Sequence, residues 1–230
     1  MHPARALKVT LAGCLAALGC VLAVPASADP DSGPTQNDYT FCGADLGANA
    51  FGRPVDYNDP KDKENVAGIE FNHLSRDVET LVRGRTGDSP LDDLAYTLRQ
   101  IPNHYRALSA MANFQLKNGY SQDFERNNIY TADCYFRRAL NFRPTDSVLH
   151  LIYGVYLHKA HKLNPALNEY LAAEKTGAKN AELHYNLGLL YVDLKQYDLA
   201  REQAKQAYEL GYPLNGLKAR LERLGQWTSQ

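Results

Sequence analysis

No signature of catalysis or cofactor binding occurs in this chain. It has no C-x-x-C pair, no H-E-x-x-H, no nucleophile elbow, no phosphate-cradling glycine loop and no dinucleotide fingerprint. Each of those chemistries needs its residues at a set spacing, so no enzyme class is indicated, and no cofactor or small-molecule substrate is expected. An excess of either charge is missing too. Lys and Arg number 25 against 26 Asp and Glu, with no long basic tract. Nucleic acid and anionic membrane surfaces are held by clustered cations, so neither is expected as the main partner. Long apolar runs are absent beyond the N-terminus, and cysteine is scarce, at four residues.

What is present begins with a leader. Arg5 and Lys8 precede "VTLAGCLAALGCVLAV" (Val9–Val24), an uncharged apolar run, and Ala26, Ser27 and Ala28 fit the small-x-small cleavage pattern. Residues 1–28 are therefore expected to be a secretory signal peptide cleaved after Ala28. As an uncleaved anchor the run falls short of the about 20 residues that a span needs. "LAGC" (Leu11–Cys14) and "ALGC" (Ala17–Cys20) resemble the bacterial lipobox, and lipidation at Cys20 is the one route to a membrane. Cleavage removes two cations and so changes the formal charge from −1 to −3. It also leaves Cys42 and Cys134, which in an oxidising compartment can form one disulfide. That bridge would staple an irregular segment to a helix, and only the distance between them decides it.

Residues 29–74, rich in Asp, Gly, Pro and Asn at their start, read as an irregular N-terminal arm. Residues 75–104 read as a partial helical pair. In "SRDVETLVRG", Ser75 caps, Val78, Leu81 and Val82 share a face, and Gly84 stops the run. In "SPLDDLAYTLRQIP", Ser89 caps, Pro90 takes the first helical position, and Asp92 and Asp93 favour the positive helix start. Pro102 forbids continuation.

The remainder, residues 105–230, repeats itself. Sliding the chain by 34 residues lays His150 on His184, Gly154 on Gly188, Ala166 on Ala200 and Ala173 on Ala207. One step earlier, Ala132, Phe136 and Ala139 meet Ala166, Tyr170 and Ala173. A fixed period of this length with two helical runs per unit predicts an all-α solenoid. Gly188 raises a question, because it stands inside "HYNLGLLYVDLKQYDLA" where a glycine costs about 1 kcal/mol against alanine.

These units resemble the tetratricopeptide repeat, W-x2-L-G-x2-Y, then A-x3-F, then P. One offers His184, Leu187, Gly188 and Tyr191, then Ala200 and Ala204, with Ala207 and Pro213. The unit before offers His150, Tyr153, Gly154 and Leu157, then Ala166 and Tyr170. The first offers Ala132, Phe136, Ala139 and Pro144. Histidine replaces the usual tryptophan, and Ala204 replaces the aromatic. The resemblance implies three repeats from Tyr105 and a C-terminal capping helix, "NGLKARLERLGQW", with Leu217, Leu221 and Leu224 on one face. It also implies that Gly154 and Gly188 sit where a first helix passes closest to its own second helix, facing Ala166 and Ala200. Axes 8–10 Å apart leave no room there for a side chain.

By the same resemblance the concave groove is lined by Arg106, Asn113, Val148, Leu151, Val155, His158, Tyr185, Leu189 and Val192. The opposite faces of these helices are already apolar for the core, and helices greasy nearly all round are either covered or bind something. The N-terminal arm is one cover; a protein or peptide partner is the other. The resemblance thus implies a non-catalytic scaffold, and the leader adds the expectation that it is exported to the bacterial envelope and periplasmic once residues 1–28 are removed. Phase exposes an insertion as well. The second-helix alanine expected near residue 124 is Ala132, eight residues late, and the added loop carries Tyr120, Phe124, Arg126 and Tyr130. Loops on solenoids often lie on a binding face; buried packing is the alternative. A rival reading is a metal- or redox-handling protein using His158, His161 and the Cys42–Cys134 pair. No carboxylate or cysteine completes a metal site at a familiar spacing, and His150 and His184 hold the position where the family places a packing aromatic.

Overall fold

A computed structural model describes residues 51–119, 129–177 and 180–227. Among the described residues there are ten α-helices, one short 3-10 turn at Pro60–Asp62, and no strand. The helices are α1 (Lys63–His73), α2 (Arg76–Glu79), α3 (Pro90–Gln100), α4 (Tyr105–Asn118) and α5 (Ala132–Phe142). They continue with α6 (Ser147–Lys159), α7 (Leu163–Lys175), α8 (Ala181–Asp193), α9 (Tyr197–Glu209) and α10 (Gly216–Arg223).

The starts follow from side chains that satisfy orphan helix N–H groups. Ser89 accepts from Leu91 N ahead of α3, Thr131 from Cys134 N ahead of α5, and Asn180 from Leu183 N ahead of α8. Asp146 accepts from Val148 N and Leu149 N at the start of α6. The second helices α7 and α9 have no side-chain cap and are entered from a left-handed residue instead. His161 (φ 61°) and Lys195 (φ 59°) hold equivalent turns. The turns after those helices are matched as well, at Gly177 (φ 108°) and Gly211 (φ 82°). The 34-residue period is therefore written in the backbone as well as in the side chains.

Packing follows the expected solenoid order. α6 pairs with α7 and α8 with α9; α7 lies on α8, α4 touches α5 and α6, and α10 closes on α8 and α9. The second helices turn a stripe of small residues inward: Ala166, Ala173, Ala200, Ala204 and Ala207 are wholly buried. Larger groups fill the spaces between, with Phe136 stacked on Tyr153 at 4.8 Å. Of the three leucines on the cap, Leu217 and Leu221 are buried, but Leu224 ends the helix and is 45% exposed.

Gly154 and Gly188 are both buried, and each is crowded by one bulky side chain. A side-chain carbon on Gly154 would stand 2.6 Å from Cδ1 and Cε1 of Tyr170. On Gly188 it would run into Cδ2 of Leu217, while the Ala200 carbonyl lies at an ordinary 3.4 Å. The two environments are related. Tyr170 fills the space over Gly154 from within its own hairpin. In the last repeat the equivalent residue is Ala204, and Leu217 of the capping helix supplies the bulk. The alanine that departs from the repeat pattern is thus the socket for the cap.

Two boundaries differ from the sequence reading. The segment taken as an irregular arm, 29–74, contains the 3-10 turn and α1. In "KENVAGIEFNH" only Val66 and Ile69 are buried, so the apolar stripe that announces the helix is faint. It is held by a small second core of Val55, Val66, Ile69 and Ile101. Buried carboxylates complete the attachment. Asp62 pairs with Arg53 and accepts from Asp56 N at 2.8 Å; Asp56 accepts from Asn103 at 2.7 Å and pairs with Arg143 beyond α5. The second difference is α2, which stops at Glu79 rather than reaching Gly84. Leu81 turns left-handed (φ 64°), and Val82 is 70% exposed instead of sharing a buried face.

Candidate functional site

The face implied for partner binding is carried by the first helices α4, α6 and α8. Its residues divide by burial. Arg106 and Asn113 on α4 are exposed, and Val148 on α6 is 37% exposed. Val155 and Leu189 are half-buried and rest on the core. Leu151, Tyr185 and Val192 are buried. Tyr185 is covered by the cap: its ring stacks on Tyr212 at 4.2 Å, and its hydroxyl lies against Gly216. Surface on this face is thus offered mainly by Asn113, Val148, Val155 and Leu189. Arg106 is exposed but engaged, paired to Glu79 and within 3.5 Å of Glu70. Neither α1 nor α2 carries an evident signal for that pairing.

His158 opens a chain of charge that the sequence does not announce. Its Nε2 faces Asp193 Oδ2 on α8 at 2.8 Å, and Asp193 Oδ1 accepts from Arg220 Nη2 on α10 at 2.5 Å. The chain ties the middle repeat to the last one and the last one to the cap. Burial alone would raise the Asp193 carboxyl, but the hydrogen bonds from Arg220 and His158 outweigh it and hold the group below the ordinary carboxylate value. His161, in the left-handed turn, is exposed. Among the described residues no three His, Cys, Asp or Glu side chains are gathered as a metal site would need.

His150 and His184 bridge their own hairpins rather than merely stacking. His150 Nδ1 meets Glu169 Oε2 at 2.7 Å, and His184 Nδ1 meets Gln203 Oε1 at 2.7 Å, one repeat apart on both sides. His150 Nε2 also faces the Pro144 carbonyl at 3.0 Å, so both ring nitrogens donate and the imidazolium is favoured. The Glu169 bond raises its pKa above the ordinary 6.5 against the opposing effect of burial. His104 has the reverse environment. It is fully buried as the cap of α4; its Nδ1 accepts from Ala107 N, so Nε2–H donates to Glu70. Burial, opposed by Glu70, lowers its pKa below 6.5.

The two histidines therefore act on opposite limbs of a stability profile. His150 contributes fully below pH 6.5, and its contribution is lost as pH rises through the raised folded value. His104 contributes fully above pH 6.5 and loses it as pH falls toward the depressed folded value. Urea unfolding from about pH 5 to about pH 8 should show H150Q flattening the upper limb and H104N the lower. Parallel profiles for the three proteins would contradict both assignments.

Of the insertion residues, Tyr120, Phe124 and Arg126 lie outside the described residues. Tyr130 is half-buried and meets Tyr135 edge-on at 5.8 Å. Cys20, Ala28 and Cys42 also lie outside them, and Cys134 is buried on α5.

No family model matches the chain. Among curated proteins it is similar to protein O-mannosyl-transferase TMTC3 of Mus musculus, 31% identical over 101 residues, or 44% of this chain and 10% of that protein. The Homo sapiens protein of the same name is 29% identical over 116 residues, 50% of this chain and 12% of that one. Tetratricopeptide repeat protein 21B of Homo sapiens is 40% identical over 89 residues, 38% of this chain and 6% of that protein. The chain spans only about a tenth of the length of these relatives. The likeness supports a tetratricopeptide-type repeat, in agreement with the stacked hairpins.

Proposed function

We propose that this tetratricopeptide-type array is a non-catalytic scaffold that holds a segment of a partner protein along α4, α6 and α8. The observation that carries the reading is a residue of apolar surface on helices already buried on their other side. Val148, Val155 and Leu189 keep part of their area open after the core beneath them is complete. Exposed Asn113 beside them supplies a polar contact of the kind that fixes register.

The leader pattern supports export, and we place the mature protein in a bacterial periplasm, with lipidation at Cys20 as the variant. Within that compartment we propose a Cys42–Cys134 disulfide, supported by the bonded state of Cys134 and by the absence of any other cysteine beyond the predicted cleavage point. The bridge would pin the preceding segment to α5. In the insertion, Tyr120, Phe124 and Arg126 form a second contact region in this reading.

The test is affinity capture from cell envelopes with wild type and an N113E/V148E variant. Both positions are exposed, so the variant should keep its fold, within about 0.5 kcal/mol of wild type. Loss of one specific protein from the variant's captured set is the expected result. Identical sets would remove this face from consideration and leave the insertion as the binding region.

A further inference from the structure

At the C-terminal end of the array a cavity of about 410 Å³ opens between the α8–α9 turn and α10. Its walls are Val192, Asp193, Lys195 and Tyr197 on one side and Arg220, Arg223 and Leu224 on the other. Three cations thus surround one carboxylate in a chain whose formal charge is −1. That carboxylate is already committed, since both Asp193 oxygens are taken by His158 and Arg220. Among the described residues Lys195 and Arg223 have no ion-pair partner.

Cations at helix C-termini often serve only to complement the helix ends. Here the ends are satisfied by other groups. Leu194 N, Lys195 N and Gln196 N return to the carbonyls of Leu190, Val192 and Tyr191, and Leu224 N, Gly225 N and Gln226 N do the same for α10. Lys195 and Arg223 remain as surplus charge beside the paired Arg220. Arg220 is also pre-oriented: Asp193 meets both ends of its guanidinium, Nη2 at 2.5 Å and Nη1 at 3.5 Å, which fixes the plane and leaves Nε–H and the outer hydrogens of the two Nη groups for a further acceptor. Lys195 is anchored in a left-handed turn at the rim, and Val192 and Leu224 give the same cavity two aliphatic walls.

We infer that this cavity binds an acidic peptide segment, a carboxylate side chain lying among Lys195, Arg220 and Arg223 with an aliphatic neighbour against Val192 and Leu224. The inference rests on the scaffold reading for the ligand being a peptide, but it places the contact off the first-helix face. A fixed guanidinium selects a planar carboxylate by geometry, and the flanking cations raise the rate of encounter.

The probe is a dye-labelled hexapeptide carrying two glutamates beside a leucine, with its glutamine counterpart as control, followed by fluorescence anisotropy. Wild type should bind the acidic peptide at least tenfold tighter than the neutral one, and added salt should erode the difference. K195E/R223E should abolish the preference, while K205E/K218E, an equal change of net charge at two lysines that line a different cavity, should retain it. Equal affinity for the two peptides overturns the inference, and so does an equal loss in both charge variants. N113E/V148E in the same assay separates the two readings. Retained acidic preference there with lost capture of the envelope partner upholds both. Capture lost in N113E/V148E and no acidic preference in wild type leaves the scaffold standing and this cavity out of it.

Discussion

Asp93→Ala should cost about 3–5 kcal/mol of unfolding free energy, while Asp92→Ala, one residue earlier, should stay within about 0.5 kcal/mol of wild type. Both were expected to serve the positive start of α3. Only Asp92 is on the surface; Asp93 is fully buried and receives four donors. Arg85 N, Thr86 N and the Thr86 hydroxyl donate at 2.6, 3.1 and 2.6 Å, and His73 closes the set at 2.9 Å. Burial pushes this carboxyl up, yet the hydrogen bonds prevail and hold it below its ordinary value, so it stays ionised at neutral pH. Removing it leaves those donors without an acceptor inside the fold, and buried donors left unmatched cost about 1–3 kcal/mol each. Urea midpoints at constant slope measure the difference. Equal midpoints for the two alanine variants would refute the inward role of Asp93.

The second large effect concerns the cap. Leu217→Ala should destabilise by about 2–5 kcal/mol, as truncating a fully buried leucine does when the surroundings cannot close. Gly188→Leu should lose about 1–3 kcal/mol by overpacking the same space. The decisive measurement is the pair together. Leu217 stands where a side chain on residue 188 would go, so the double variant should be more stable than the sum of the two losses implies. Coupling of about 0.5–3 kcal/mol is the usual range for residues in contact. The same cycle between Gly154 and Leu217 should give none, because Gly154 faces Tyr170. Strict additivity for 188 and 217 would show that α10 does not share that space.

The repeat was legible because it rests on short-range rules. Periodic apolar residues, capping side chains such as Ser75 and Ser89, and glycine and alanine recurring at one spacing each act within a turn or a hairpin. The start of α4 at Tyr105 and the burial of Gly154 and Gly188 follow from them. The candidate face was legible only in part. Family positions indicate which helices carry it, but not that Tyr185 lies beneath Tyr212 or that Arg106 is held by Glu79 and Glu70. Helix α1 leaves only a faint apolar period, because Val66 and Ile69 alone are buried and the rest of the attachment runs through Asp56 and Asp62.

What the order of residues determined alone is therefore the period, the hairpins and the need for small residues at their crossings, since each depends on neighbours within one unit. Tertiary structure decided everything that joins units distant along the chain. It set Leu217 in the socket left by Ala204, turned Asp93 inward onto His73, and linked His158 to Arg220 through Asp193. Such pairings leave no local mark because a charge or a leucine suits a solvated helix face as well as a buried one. Only the partner that arrives from another element determines which it becomes.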